Sequence, residues 1–285
     1  MYESLVVGYD GSPSSKAAVI EASNWTKRHG GKVTLAHAVF FDSEEFGIAP
    51  EQQEKRLAIG DKICIEAKDM ITSKFGVEAH YVLCEGEPQS VLSSVAEGKA
   101  ADLILLGTYG RRGLNRLLMG SVTSQVISGA ATDVMVVKKP CSECTGSYSS
   151  ILVPFDGSEC SIRALQRACQ LSKLDSGEVT VLYVIPRYEE LVGFMRTDSI
   201  KESLQQEAEK ITAKAVGEAG ALGVTVKTEI ADGHAADEIV GAAKRLKTEL
   251  IAMGSHGYRG LEKAIMGSTA ERVIMDAACP ILVVR

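Results

Sequence analysis

The chain has no apolar run approaching the roughly 18 uninterrupted residues that a membrane helix requires. Its longest runs, such as Leu103–Leu106 and Val134–Val137, are strand-sized. A basic segment followed by a long apolar core is also missing. Glu3 leads straight into a strand-like run, so a secretory signal is not expected and the cytosol is the expected compartment. Basic clusters are scarce. The net charge is -6, and only Arg111-Arg112 and Lys138-Lys139 are adjacent pairs outside ordinary helix faces. Bulk nucleic-acid binding is therefore disfavoured, although a small anionic ligand needs only a local site. Seven cysteines, an odd number, do not make a disulfide framework, and buried thiols are the simpler expectation. No Gly-x-x-x-x-Gly-Lys-Ser/Thr occurs, and no Gly-x-Gly-x-x-Gly follows a first strand. A Walker loop and a nicotinamide dinucleotide fold are both left without their fingerprints.

What is present is a globular composition, 45% hydrophobic and 24% charged over 285 residues, a length that suits two domains. The sequence repeats itself. Ser4–Ser12 matches Ser150–Ser158, and Leu103–Gly107 matches Leu250–Gly254. Gly110 matches Gly257, and Gly120-Ser121 matches Gly267-Ser268. The offset is 146 at Asp10/Asp156 and 147 from Val77/Val224 onward. So small a drift over so long a span implies a duplicated domain of about 140 residues rather than a solenoid of short units. The expected domains are 1–139 and 150–285, joined by a linker at 140–149 within the Pro-, Gly- and Ser-bearing stretch Lys138–Ser149.

Strands and helices alternate in each half. In the first, strands are expected at Leu5–Gly8, Val33–Ala38, Val77–Leu83, Leu103–Leu106 and Val134–Val137. Helices are expected from Ser12-Pro13 to Gly30-Gly31, over Glu51–Lys74, Pro88–Glu97 and Ser121–Ser128. The second half has strands near Ile151–Val153, Val179–Val184, Val224–Ile230, Leu250–Met253 and Ile281–Val284. Short Val/Ile/Leu runs separated by helices imply parallel strands buried on both faces. The fold class is α/β, with two tandem, doubly wound, five-stranded parallel-sheet domains of Rossmann-like type.

Open parallel sheets bind ligands beyond the carboxyl ends of their strands. After the first strand stands Asp10-Gly11-Ser12, and after its repeat Asp156-Gly157-Ser158. An Asp there can accept from a ribose hydroxyl or a base amino group. An Asx-type turn or helix cap explains the same three residues more simply. After the fourth strand the pattern is more specific: Gly107-x-x-Gly110, nine residues, Gly120-Ser121, and again Gly254-x-x-Gly257, nine residues, Gly267-Ser268. Glycine admits a bulky anion close to the backbone, and Gly-Ser opens a helix whose free N–H groups attract phosphate. A Gly-rich turn before a helix is the bland alternative. The same spacing after the same strand in both halves favours binding.

Placed on this strand order, the Gly-x2-Gly-x9-Gly-Ser pattern and the Asp after the first strand resemble the ATP-binding class of universal stress proteins, whose fold is adenine nucleotide alpha hydrolase-like. The resemblance spans nearly the whole chain as two fused family domains. It implies an adenine nucleotide, ATP or AMP, in each half, with Mg²⁺ as a companion ion, and a regulatory role in stress response. Asp10 and Asp156 would sit by the adenosine, with Ala38 and Val184 flanking the base. Gly107, Gly110, Gly120, Ser121, Val122 and Thr123 would hold phosphate in the first half. Gly254, Gly257, Gly267, Ser268 and Thr269 would do so in the second, with Met253 beside them. Arg111 and Arg259, inside the loops, could pair with ligand charge. Thr123 carries a hydroxyl where the second half has Ala270, so the first half is expected to bind more tightly. Asp133 stands where the second half has Pro280, which should alter strand entry.

His256 corresponds to Tyr109, so a required catalytic imidazole is not expected, and no Ser-His-Asp elbow is present; at most slow ATP hydrolysis is expected. Cys141-x-x-Cys144 is a lone pair in the linker, at most half of a zinc site. The other cysteines read as packing residues. The last strand of each half, Val134–Val137 and Ile281–Val284, is apolar, so the halves are expected to pair through these strands, with a further homodimer left open. Two rival functions remain: an adenylating enzyme of the related fold, disfavoured because Asp10-Gly11-Ser12 lacks a glycine-serine-rich loop, and a nucleotide-independent scaffold.

Overall fold

A computed structural model describes residues 1–39, 50–108, 119–138, 145–186, 198–256 and 267–285. The chain divides into two compact units, Met1–Ser147 and Tyr148–Arg285.

The first unit runs β1 (Ser4–Gly8), α1 (Pro13–His29), β2 (Lys32–Val39), α2 (Pro50–Phe75), β3 (Ala79–Glu85), α3 (Pro88–Gly98), β4 (Leu103–Gly107), α4 (Ser121–Gly129) and β5 (Asp133–Val137). Its strands lie in the order β3-β2-β1-β4-β5, all parallel. The register pairs Leu5 with both Val33 and Leu103. Helices α1 and α2 meet each other on the sheet, as do α3 and α4. Leu5, Leu35, Leu103, Ile104 and Leu105 are fully buried between these layers, each contributing about 1.5–3 kcal/mol by leaving water.

The second unit repeats this order: β6 (Ser150–Pro154), α5 (Glu159–Asp175), β7 (Glu178–Pro186), α6 (Asp198–Ala221), β8 (Val226–Gly233), α7 (Ala235–Arg245), β9 (Leu250–Gly254), α8 (Ser268–Asp276) and β10 (Ile281–Val284). Its order is β8-β7-β6-β9-β10, again parallel throughout. In each unit the helix after the first strand packs with the helix after the second, and the helix after the fourth strand with the helix after the third. Doubly wound sheets take ligands in the crevice beyond the tips of adjacent strands at such a switch, here the first and fourth strands.

Local chemistry sets the boundaries. Ser12 is extended (φ -67°, ψ 158°), and its Oγ accepts from Ser15 N–H at the start of α1, with Pro13 in the first turn. Ser158 caps α5 in the same way, accepting from Ser161 N–H at 3.3 Å. The third strands differ from expectation. They occupy Ala79–Glu85 and Val226–Gly233, about two residues beyond the expected Val77–Leu83 and Val224–Ile230. Val77 is buried, but it belongs to the passage from the end of α2 into the sheet, where register begins with Val33 opposite Ala79. The expected linker is docked where it is described. Arg28 Nε donates to Thr145 O at 2.9 Å, and Gly146 lies so close to α1 that a Cβ would overlap the Trp25 backbone. Tyr148 is buried, its N–H donating to Asp175 Oδ2, and Ser149 donates from N and Oγ to Glu249 Oε2. Among the described residues no helix is long and apolar enough to cross a membrane.

Candidate functional site

Asp10 Oδ1 accepts the Ser12 N–H at 2.9 Å, and Gly11 between them sits at φ +79°. Asp156, Gly157 and Ser158 reproduce this at 3.0 Å and +79°. Both are Asx turns: the short carboxylate reaches the amide two residues on, and only glycine takes the intervening left-handed conformation without cost. The turn thus accounts for Asp-Gly-Ser in each half and fixes a half-buried carboxylate at the tip of β1 and of β6. The first turn of α1 adds buried hydroxyls, with Ser12 Oγ 3.3 Å from Ser14 Oγ and 3.2 Å from Ser15 Oγ.

The glycines of the second motif separate into two kinds. At Gly107, a Cβ would stand 2.6 Å from the Ser14 carbonyl carbon and 2.7 Å from Ser14 Cβ. At Gly254 it would stand 2.5 Å from Cys160 Cβ. These two glycines let the first helix of each unit lie against the end of the fourth strand, a packing need that holds without any ligand. Gly267 is different. Its φ of -65° is open to any residue, and among the described residues a Cβ would meet only Ser255 O at 3.7 Å and His256 Cα at 3.9 Å. Among the described residues, neither conformation nor packing demands glycine there. Gly267 is the N-cap of α8 and Gly120 that of α4, and among the described residues neither helix receives a side-chain cap. Each is tied instead to the strand tip, Gly120 N–H donating to Thr108 O at 3.1 Å and Gly267 N–H to Ser255 O at 3.2 Å. Beyond them Ser121 and Ser268 are exposed, Val122 and Thr269 half-buried. The first-turn amides of both helices carry the positive end of the helix dipole beside the fourth-strand tips.

Thr123 is 4% exposed, and its Oγ1 donates to Gly107 O at 2.9 Å. The hydroxyl proton therefore ties α4 to β4 in this geometry. For the expected phosphate contact, which would make the first half the tighter site, this proton would have to leave Gly107 O. Ala270 at the matching place is buried without such a tether. In the second half the strand tip carries a polar chain of its own. Ser255, 4% exposed, has Oγ 2.9 Å from His256 Nδ1 and 3.5 Å from the Arg285 guanidinium.

Ala38 and Val184 lie near the carboxyl ends of β2 and β7, half-buried, with Ala38 opposite Cys84 and Val184 opposite Ala231. Both stand beyond the last register pair of the neighbouring first strand, Gly8 with Ala36 and Pro154 with Leu182. Their strands thus rise above the crevice floor as a wall. Met253 is buried within β9 opposite Val283, a sheet-interior position below that floor. Two residues not singled out from the sequence belong here. His37, 7% exposed, contacts Tyr9 O through Nδ1 at 2.6 Å, and Gly60 of α2 lies against its ring. A glycine in the interior of a long helix, which costs about 0.5–1 kcal/mol relative to alanine, was the available signal.

Gly110, Arg111, Gly257 and Arg259 lie outside the described residues, as do Cys141 and Cys144. Among the described residues no group of three or more His, Cys, Asp or Glu is placed to hold a metal ion. Burial pushes the Cys169 thiol up to about 11, in keeping with a packing cysteine. Asp133 opens β5 by accepting the Tyr2 hydroxyl at 2.6 Å, whereas Pro280 ahead of β10 offers only its carbonyl, to Ile251 N–H.

The Universal stress protein family matches this chain twice, over residues 1–138 and 147–285. A universal stress protein of Methanocaldococcus jannaschii is 39% identical over 141 residues, 48% of this chain and 82% of its own. One from Mycobacterium tuberculosis is 26% identical over 296 residues, covering 99% of this chain and 96% of the relative. The crystal structure of a universal stress protein from Archaeoglobus fulgidus superposes with a TM-score of 0.73 at 21% identity, covering 99% of this chain and 96% of that one, and shares the fold. With its duplicated parallel sheet, repeated motifs and two full matches, the chain belongs to the universal stress protein family, as two successive family domains.

Proposed function

We propose that the protein binds an adenine nucleotide, ATP or AMP, in each half, in the crevice flanked by the tips of the first and fourth strands, and that occupancy serves regulation in stress response. Gly267 carries the reading. Its backbone conformation and its described neighbours leave room for a side chain at this N-cap, yet the residue is glycine. A phosphate approaching the α8 amides supplies the missing reason, since only a bare backbone lets it close in. The α4 terminus, headed by Gly120 and equally uncapped, is its counterpart. The Asp10 and Asp156 carboxylates, held by their turns, are the proposed partners of the adenosine. Ala38 and Val184 are proposed to wall the base, and Arg111 and Arg259 to meet phosphate charge. Mg²⁺ would be bound chiefly by the phosphates, as such ions are in many nucleotide sites. Mass spectrometry of the purified chain for retained AMP or ATP tests this reading, with nucleotide expected to co-purify.

One observation favours the nucleotide-independent scaffold: the Asx turns explain Asp10 and Asp156 without a ligand. That reading leaves Gly267 only the modest preference of glycine over alanine at an N-cap. We also propose, from the apolar sequence of Val134–Val137 and Ile281–Val284, that the halves pair through these strands. Val136→Glu should then raise protease cleavage within 138–149. Unchanged cleavage counts against the pairing.

A further inference from the structure

We propose that His37 is the positioning residue of the first half: its imidazole sets the height of the Asp10 turn above the sheet, and Gly60 exists to admit it. The backbone supplies the first part of the argument. Past the end of β1 the chain stays beside β2 for one more residue, Tyr9 N–H donating to Ala36 O at 2.9 Å. The turn that fixes the Asp10 carboxylate begins at the next residue. The Tyr9 carbonyl, at the root of that turn, takes the 2.6 Å contact from His37 Nδ1. A carbonyl can only accept, so the proton sits on Nδ1 and the ring is the donor. With 7% of His37 exposed, this bond is shielded from water and directional. It clamps the one peptide between β1 and the Asp10 turn.

The helix supplies the second part. A Cβ on Gly60 would lie 2.8 Å from His37 Cδ2 and 3.0 Å from Nε2. Any side chain there would push the ring off the Tyr9 carbonyl. The second half runs the same corner differently. Gly11 faces Ile63, as Gly157 faces Ile211, so three residues earlier on each helix Gly60 corresponds to Ala208. There the strand residue is Tyr183 rather than histidine. Imidazole and glycine occur together in the first half and are replaced together in the second. The device is therefore specific to one site, and the two halves hold their aspartate turns by different means.

The experiment uses the full-length chain. Asparagine places an N–H donor where Nδ1 stands, while glutamine places one near Nε2, so the two variants differ in reach rather than polarity. Amide hydrogen exchange without nucleotide should quicken about three- to tenfold at Tyr9 and Ser12 in His37→Gln, the scale of one buried neutral hydrogen bond. His37→Asn should restore the wild-type rates, and Phe155 and Ser158 should be unmoved in both. Gly60→Ala, which keeps the imidazole but displaces it, should copy His37→Gln and decides the matter if His37→Gln does not fold. Unchanged exchange at Tyr9 and Ser12, or identical behaviour of the Asn and Gln variants, overturns the proposal. A second arm rests on the nucleotide reading. In a Gly267→Val background, ATP affinity of the first half should fall about three- to tenfold with His37→Gln and not with His37→Asn. A wild-type chain that binds no nucleotide defeats the nucleotide reading, while the exchange rates still decide the role of His37.

Discussion

Gly267→Ala separates a glycine kept for a ligand from a glycine kept for the fold. The new Cβ would sit 3.7 Å from Ser255 O and 3.9 Å from His256 Cα, ordinary contact distances, on a backbone at φ -65° and ψ 140°. Alanine is a poorer N-cap than glycine, at about 0.5–1 kcal/mol, but it also lowers the entropy of the unfolded chain by a similar amount. Stability should therefore stay within about 1 kcal/mol of wild type. Binding should respond far more. On the proposed reading the methyl group would obstruct an approaching phosphate oxygen, and losing one charge-assisted hydrogen bond costs about 1.5–3 kcal/mol, roughly ten- to a hundredfold in affinity. Gly254→Ala is the opposite case. Its Cβ would lie 2.5 Å from Cys160 Cβ, and such overpacking costs about 1–3 kcal/mol of stability with or without ligand. Urea unfolding and isothermal titration of both variants give the two numbers for each. Unchanged nucleotide affinity in Gly267→Ala would refute the reasoning, and so would a stability loss matching that of Gly254→Ala.

Thr123→Val removes the proton donated to Gly107 O, so the cost should appear as stability, about 1 kcal/mol and a Tm lower by about 2–4 °C. A large affinity loss with unchanged Tm would return the hydroxyl to the phosphate. The Arg245 guanidinium, forked onto Glu229, holds that carboxyl below its usual range. A lowered folded-state pKa contributes stability that is present above the ordinary carboxylate range and lost as pH falls through the lowered value. The Tm gap between wild type and Arg245→Gln should accordingly close in acid, and a gap that persists there contradicts the assignment. Cys169, buried and with its thiol pushed up to about 11, should escape alkylation of the native protein at pH 8, as peptide mapping can check. Rapid labelling would show that α5 opens.

The alternation of strands and helices was legible because each buried strand is a short Val/Ile/Leu run and because the duplication shows every element twice. Ser12-Pro13 marked a helix start, since a hydroxyl cap and a proline in the first turn act locally and need no tertiary context. Val77 and Val224 misled the placement of the third strands. An apolar residue between a helix end and a sheet is buried by either element, and pattern alone does not tell which. The motif glycines were legible as a set but not in their roles. Gly107 and Gly267 look alike in sequence, and only their folded surroundings divide them: the space beside Gly107 is filled by the packing of α1, while Gly267 is open toward the described residues. Thr123 pointed to phosphate in the sequence because the acceptor it uses, Gly107 O, lies 16 residues away. His37 was hidden for the same reason: its partners Tyr9 and Gly60 are brought to it only when β1 and α2 settle beside β2.

The central claim is that uncapped, glycine-headed helices at the two crevices hold the phosphates of an adenine nucleotide. Isothermal titration of the nucleotide-stripped full-length chain with ATP, repeated on the Gly120→Val/Gly267→Val double variant, tests it most directly. Saturable binding to the wild type and its loss in the double variant are expected, with circular dichroism unchanged. Equal ATP affinity in the two proteins, or no binding to the wild type at millimolar ATP, would contradict it.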